Sequence, residues 1–204
     1  METKLKNQLK TLTHSDILVF VALESEINPN DWQSDCCVVF TGIGKVNAAL
    51  TAQREIAIRS PKLVINLGTA GAFDEKYRGV CEIQSVMQRD FDTSPLAPRG
   101  EVPYQEFPST FYSEFGKFSC GTGDSFMTEI DPWINANGVQ LVDMELYSIA
   151  RVCAGYEIPW RSVKYVTDIV GENSGDEWTN NLKVAQVELV AWFRKNIDSL
   201  LIKS

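Results

Sequence analysis

The sequence predicts an α/β protein with three layers, in which helices cover both faces of a mixed, mostly parallel central sheet. Short apolar runs alternate with helical stretches, small-residue turns follow two of the runs, and no Pro/Gly/Ser-rich linker divides the chain. The 204 residues, 44% of them hydrophobic, suffice for a substantial core. We therefore predict one domain over residues 1–204, with residues 1–14 as a flexible N-terminal extension.

In the first half of the chain, three apolar runs predict buried strands at residues 17–22, 36–40 and 63–67. A helix begins after Gly42-Ile-Gly-Lys45 and ends at Ser60-Pro61, because a proline disfavours helical conformation in the residue before it. The residues that give this helix its spacing of three to four are Val46, Ala49, Leu50, Gln53, Ile56 and Ala57. A second small-residue turn, 68–72, follows the third strand.

In the second half, strands are predicted at residues 80–87, 117–120, 140–144 and 160–166. Residues 88–108 contain four prolines and predict a long irregular segment, a feature that is usually functional or mobile. Helices are predicted at 145–154 and 177–202. The apolar side of the last helix comprises Leu182, Ala185, Leu189, Trp192, Phe193 and Leu200.

The composition excludes several classes of function. A net charge of −8 argues against nucleic acid or an anionic membrane as partner, because phosphate binding needs clustered Lys and Arg. The five cysteines show no C-x-x-C spacing, so they predict buried reduced thiols rather than a metal site. No signal peptide is recognisable, and no apolar stretch approaches the roughly 20 residues that span a bilayer. We expect a cytoplasmic protein without cofactor or metal.

Three acidic residues, Glu26, Glu145 and Asp168, each follow a predicted strand. Ligands of α/β sheets bind at the carboxyl ends of strands, so these carboxylates are candidates for one cleft. Carboxyl groups at different depths of a cleft have different pKa values and therefore different roles, as the cleavage of a sugar–base bond without a metal requires. The alternatives are a solvated loop charge for Glu26 and helix-terminal or turn acids for the other two.

The two glycine-rich turns are weaker signals. Gly42-Ile-Gly-Lys45 and Gly68-Thr-Ala-Gly71 follow strands, and their backbone N–H groups could hold an anion or hydroxyl groups, or the turns could be purely structural. Phe126 could lie against a planar ring or in the core. His14 is the only histidine, which makes Ser-His-Asp chemistry improbable.

Six segments together resemble the purine nucleoside phosphorylase superfamily, and within it the 5′-methylthioadenosine/S-adenosylhomocysteine nucleosidases of methionine salvage. They occur in the family's order and are Ala22-Leu-Glu-Ser-Glu, Gly42-Ile-Gly-Lys-Val-Asn-Ala-Ala, Ile65-Asn-Leu-Gly-Thr-Ala-Gly, Thr122-Gly-Asp-Ser-Phe, Val142-Asp-Met-Glu and Val166-Thr-Asp. The resemblance implies a nucleoside phosphorylase-like fold and hydrolysis of the N-glycosidic bond of an adenine nucleoside, without cofactor.

The resemblance also implies catalytic roles. Glu26 would be the base that activates water, and Asp168 would donate a proton towards N7 of the purine. Glu145 would hydrogen-bond the ribose hydroxyls, with Met144 against the sugar.

The implied contacts to the base and to the rest of the sugar come from other segments. Phe126 would stack on the purine, and the backbone of Met127 would read its edge. Thr69 and Gly71 would lie near the reacting sugar and its water, and Leu23 and Ile43 would flank the sugar or its 5′ group.

Departures from the family pattern lie mainly at the 5′ end of the pocket. Residues 88–108 are only loosely similar to the family's loop, which helps to build that end, in part across a homodimer contact. Thr167 stands where serine is usual, and Ala72 where glycine is common.

Two alternative functions remain open from the sequence. One is a phosphate-dependent phosphorylase, although the arginine that usually precedes the third-strand turn is absent and Glu26 would repel phosphate. The other is a non-catalytic nucleoside-binding module, for which the presence of all three acids has no evident use.

Overall fold

The computed structural model describes residues 12–32 and 34–200. Residues 1–11 of the predicted N-terminal extension lie outside this part, as do residues 201–202 of the predicted last helix. Leu12, by contrast, is buried in a core cluster with Ile17 and Phe193, so the chain is packed from at least this residue onward.

The described residues form eight strands and four α-helices. The strands are β1 (Ile17–Val21), β2 (Cys37–Phe40), β3 (Leu63–Ala72), β4 (Gly79–Gln88), β5 (Thr110–Tyr112), β6 (Phe118–Thr122), β7 (Leu141–Asp143) and β8 (Trp160–Ile169). The helices are α1 (Lys45–Arg59), α2 (Pro132–Ala136), α3 (Leu146–Gly155) and α4 (Ser174–Leu200). The short elements β5 and α2 were not predicted, because neither has the length over which a periodic apolar pattern becomes visible.

The sheet is mixed and partly closed. Five strands pair in a ring, β3–β7–β6–β4–β8 and back to β3, while β1 and β2 extend it beside β3 and β5 extends it beside β4. Five of the eight pairings between these strands are parallel. The prediction of a mixed, mostly parallel sheet with helices is confirmed, but the architecture is not clearly three-layer, because the sheet curls into this ring.

Strands β3 and β8 are longer than predicted and form the most extensive pairing. The predicted turn at 68–72 is wrong: these residues continue β3 and pair in parallel with the second half of β8. A bulge between Ala70 and Gly71 shifts the register, so that Gly71 lies opposite Asp168. Asp168 is therefore held within a strand and does not close one.

Strand β1 is buried on both faces, which explains its continuous apolar sequence. Leu18 and Phe20 point into a cluster with α1 and α3, whereas Ile17, Val19 and Val21 point into the cluster that includes α4. Alternate residues of a strand face opposite sides, so this part of the sheet is covered by helices on both faces.

Helix α1 turns a different face to the core from the one its spacing suggested. Its buried residues are Ala48, Ala52, Glu55 and Ile56. Val46 and Leu50 are 69% and 68% exposed, so the stripe that they begin lies on the surface of the single chain. Small alanines on the buried face allow α1 to approach α3 closely.

The segment from 89 to 109 contains no regular helix or strand, as predicted, but side chains anchor it. Lys45 forms an ion pair with Asp90 at 2.6 Å, and the indole Nε1 of Trp133 donates to the carbonyl oxygen of Arg99 at 3.1 Å.

Within residues 12–32 and 34–200, no helix is both long and apolar enough to cross a membrane, and no cluster of three or more His, Cys, Asp or Glu side chains is arranged to hold a metal ion.

Candidate active site

A cavity of about 250 Å³ opens where β1, β3, β7 and β8 end. All ten residues that the sequence singled out line it: Leu23, Glu26, Ile43, Thr69, Gly71, Phe126, Met127, Met144, Glu145 and Asp168. They come from six separate stretches of the chain. The strand ends therefore bring the three predicted carboxyl groups to one hollow, as the sequence argument requires.

Hydrogen-bond donors hold both carboxylate oxygens of Glu26. It lies in a turn after β1 and is 4% exposed. Its Oε1 accepts bonds from the backbone N–H and the hydroxyl of Thr69, each at 2.7 Å, and its Oε2 accepts the N–H of Leu23 at 3.1 Å. These bonds fix the carboxylate at the cavity wall, so Glu26 is a positioned group and not a solvated loop charge.

Glu145 stands at the start of α3, but its side chain does not cap that helix. Its Oε1 instead accepts the backbone N–H of Gly44 at 2.9 Å. Burial and, to a lesser extent, the negative charge of Asp143 raise the pKa of Glu145 to about 7, although the Lys164 charge and the Gly44 N–H oppose the shift. This carboxyl therefore exchanges its proton near neutral pH.

The turn at Gly42–Lys45 binds carboxylates of the protein itself. Besides Gly44, the backbone N–H of Lys45 donates to Asp124 Oδ1 at 2.7 Å. The free donors expected at this helix N-terminus are thus shared between Glu145 and Asp124, and the turn joins two sides of the cavity.

A buried ion pair lies at the floor of the cavity. Lys164 Nζ contacts Asp143 Oδ2 at 2.8 Å, and the two side chains are only 2% and 1% exposed. Asp143 also accepts the Thr122 hydroxyl at 2.5 Å and caps α3 through the N–H of Leu146 at 2.9 Å. Burial alone would raise the pKa of Asp143, but the Lys164 charge and the hydrogen bonds from Lys164, Thr122 and Leu146 together hold that pKa below its usual value.

Lys164 also lies close to Glu26. A Cβ added at Gly68 would be 3.3 Å from Glu26 Oε1 and 3.4 Å from Lys164 Nζ. Gly68 therefore leaves the space in which a carboxylate and an ammonium group approach the same point of β3.

Asp168 is 3% exposed, and its pKa is raised above the ordinary value of an aspartate. Burial raises its pKa, the negative charge of Glu177 adds to the shift, and the Thr167 hydroxyl, which donates to its Oδ1 at 2.8 Å, opposes it. A Cβ at position 71 would come within 2.9 Å of Asp168 Oδ2, so only glycine allows the carboxyl to lie across β3 at the bulge.

The segment after β6 forms the outer wall of the cavity. Phe126 is 49% exposed and Met127 packs partly against a small apolar cluster. The guanidinium group of Arg89 holds this segment by donating to the carbonyl oxygen and the hydroxyl of Ser125. Phe126 is therefore an exposed aromatic face beside the cavity and not a core residue.

Several lining or supporting residues were missed by the sequence argument. Lys164 had a recognisable signal, since a lysine inside a predicted buried strand is nearly always paired. Asp143 belongs to the Val142-Asp-Met-Glu segment, in which the resemblance assigned roles only to Met144 and Glu145. Arg89 and Trp178 also line the cavity, but they come from the irregular segment and from the first turns of α4, where no pattern marks them.

Sequence comparison places this site in a known family. The model of the phosphorylase superfamily matches residues 30–197. The chain is 30% identical over 179 residues to a 5′-methylthioadenosine/S-adenosylhomocysteine nucleosidase of Marinomonas sp. (strain MWYL1), covering 74% of this chain and 75% of the relative. It is 27% identical to the Arabidopsis thaliana protein of the same name, covering 76% of this chain and 66% of the relative.

Solved structures share the fold. A 5′-methylthioadenosine/S-adenosylhomocysteine nucleosidase of Helicobacter pylori superposes with a TM-score of 0.80 at 18% identity, covering 90% of this chain and 97% of the other. The futalosine hydrolase of the same organism gives 0.81 at 20% identity, covering 90% and 97%. A match over most of the chain and a relative at 30% identity, on a site built as described, show that this chain belongs to the phosphorylase superfamily and within it to the 5′-methylthioadenosine/S-adenosylhomocysteine nucleosidase family.

Proposed function

We propose that this protein hydrolyses the N-glycosidic bond of an adenine nucleoside of the 5′-methylthioadenosine/S-adenosylhomocysteine type, releasing free adenine and a ribose derivative. The observation that carries the proposal is the presence of Glu26, Glu145 and Asp168 in one cavity, each in a different electrostatic environment. The relatives named for this activity support the substrate class.

Asp168 is the acid in this proposal. Its raised pKa increases the share of the protonated carboxyl, which can donate to N7 of the purine as the bond to C1′ breaks. The electron pair of that bond moves onto the base, and protonation makes the base a better leaving group. Phe126 lies at the outer wall of the cavity, where it can stack on the purine, and the backbone of Met127 can read its edge.

Glu26 is the base. A water held between Glu26 and Thr69 attacks C1′, forming the new C–O bond, and Glu26 accepts the proton that the water loses. The three donors that fix its carboxylate are the backbone N–H groups of Leu23 and Thr69 and the Thr69 hydroxyl, and a backbone bond from Glu26 to Leu23 closes the turn. This geometry therefore exists before substrate binds.

Glu145 acts on the sugar. Departure of the base gives the ribose oxocarbenium character, and hydrogen bonds to the 2′-hydroxyl then strengthen in the transition state. Glu145 Oε1 is held by Gly44, which leaves Oε2 for the ribose hydroxyls. Four further residues, Met144, Gly71, Leu23 and Ile43, complete the wall around the sugar and its 5′ group.

A phosphorylase reaction is less consistent with this site. The N–H groups of the Gly42–Lys45 turn are bonded to Glu145 and Asp124, and the Lys164 ammonium is bonded to Asp143. A phosphate ion at the position of the attacking water would face the carboxylate of Glu26, while the nearby Lys164 ammonium is already paired with Asp143. A non-catalytic module would have no use for a carboxylate fixed by three hydrogen bonds at that position.

We also propose a homodimer. Val46 and Leu50 lie one turn apart on α1 and form an exposed apolar stripe, and Ile43, just before this helix, is 47% exposed and lines the cavity. A second copy of the chain that covers the stripe would reach the mouth of the cavity and close its 5′ end together with residues 88–108.

We further propose a cytoplasmic setting and one domain over the full chain. All five cysteines are free, and four of them are buried, which suits a reducing compartment. The matched segment, residues 30–197, spans nearly the whole described part and supports one folding unit.

Release of adenine from 5′-methylthioadenosine without added phosphate tests the function directly. We expect turnover in phosphate-free buffer and no gain when phosphate is added. A panel of S-adenosylhomocysteine, 5′-deoxyadenosine, adenosine, inosine and futalosine, assayed for released base, reports the 5′ and base preferences. Strict dependence on phosphate would favour the phosphorylase, and tight adenine binding without turnover would favour the binding module.

The acid and base assignments predict the effect of two isosteric variants. Glu26→Gln and Asp168→Asn should each lower kcat by about 10²–10⁴-fold, because each removes one positioned proton-transfer group. The exposed neighbours provide matched controls, and Glu24→Gln and Asp176→Asn should keep wild-type rates. Circular dichroism should show an intact fold in all four; a near-normal rate in Glu26→Gln or Asp168→Asn would remove that residue from the mechanism.

The homodimer predicts a mass of twice the chain by light scattering. Leu50→Glu should shift the protein to monomer, since it places a charge in an apolar contact, whereas Val187→Glu, at a 67% exposed valine on α4, should not. A monomeric wild-type protein at micromolar concentration would reject the dimer.

A further inference from the structure

We propose that Trp178 is a positioning residue for the hydrolytic step: it orients the Thr69 hydroxyl so that its hydrogen is donated to Glu26. The proposal rests on the proposed function, because Glu26 matters only if it activates water. Trp178 lies in the first turns of α4 and lines the cavity. Its indole Nε1 lies 3.1 Å from Thr69 Oγ1.

The direction of this chain of hydrogen bonds follows from the chemistry of its ends. An indole N–H can only donate, and an ionised carboxylate can only accept. The Thr69 hydroxyl has one hydrogen, so while Trp178 donates to its oxygen, that hydrogen is directed to Glu26 Oε1 at 2.7 Å. Phenylalanine at position 178 would leave the hydroxyl with its bond to Glu26 alone, without the donor that fixes its oxygen from the other side.

The consequence for Glu26 is an asymmetry between its two oxygens. Oε1 accepts two bonds of 2.7 Å, from the backbone and the hydroxyl of Thr69, whereas Oε2 accepts one bond of 3.1 Å from Leu23. The geometry points to Oε2 as the atom that takes the proton from water, because it keeps the less engaged lone pair. Donation by Trp178 polarises the hydroxyl and strengthens the bond that holds Oε1.

The start of α4 is fixed relative to the catalytic strands, which makes Trp178 a rigid donor. Glu177 Oε2 accepts the N–H of Ile169 at 3.2 Å, and Asn181 Nδ2 donates to the carbonyl oxygen of Thr167 at 2.7 Å. These two bonds flank Asp168 in β8. The first turns of α4 therefore connect β8, the strand that carries Asp168, to the hydrogen bonds that hold Glu26.

The test is Trp178→Phe, which keeps an aromatic ring and removes only the N–H. We expect kcat to fall about 3- to 10-fold, the size of one neutral hydrogen bond, with KM nearly unchanged. Trp192→Phe is the matched control. Its Nε1 also donates at 3.1 Å, to Glu82 outside the cavity, so kcat should stay at the wild-type value.

A double-mutant cycle with Thr69→Val separates positioning from packing. If Trp178 acts through the Thr69 hydroxyl, the double variant should lose no more kcat than Thr69→Val alone. Wild-type kcat in Trp178→Phe, additive losses, or a change confined to KM would each overturn the proposal. Failure of the proposed function gives a different result, since the wild-type protein itself would then release no base.

Discussion

The ion pair between Lys164 and Asp143 is the interaction on which the cavity depends. Asp143, Glu145 and Glu26 are all buried beside one another, and three uncompensated negative charges in such a place would be prohibitively costly. Lys164 neutralises Asp143, and Asp143 in turn caps α3 and binds Thr122. Breaking a buried pair of this kind typically costs about 3–5 kcal/mol, so the pair anchors the helix that presents Glu145.

The curled sheet explains how residues distant in sequence reach this pair. Because β3 pairs with both β7 and β8, the ends of these strands converge, and Asp143 and Lys164 face each other inside the ring. The bulge in β3 then allows Asp168 to lie over Gly71. Asp168 and Glu145 are thus positioned by backbone geometry, and their pKa values follow from their depth and from the charges around them.

Local sequence patterns predicted most of the strands and all three longer helices, because continuous apolar runs and helical spacing depend on short-range contacts. The glycines of Gly68-Thr-Ala-Gly71 suggested a turn, yet they extend β3, since Asp168 and Lys164 need space beside them. Ring closure is a long-range pairing that no local period encodes. The same is true of Trp178, whose role depends on a contact with Thr69, 109 positions away in the chain.

The central claim is that carboxyl groups of one cavity differ in their protonation at the same pH. A ¹³C NMR titration of the side-chain carboxyl carbons, assigned with Glu145→Gln and Asp168→Asn, measures this most directly. The account predicts a midpoint about 7 for Glu145 and a midpoint for Asp168 above the ordinary aspartate value of 3.8. Titration of both groups at the ordinary values of 4.5 and 3.8 would contradict it.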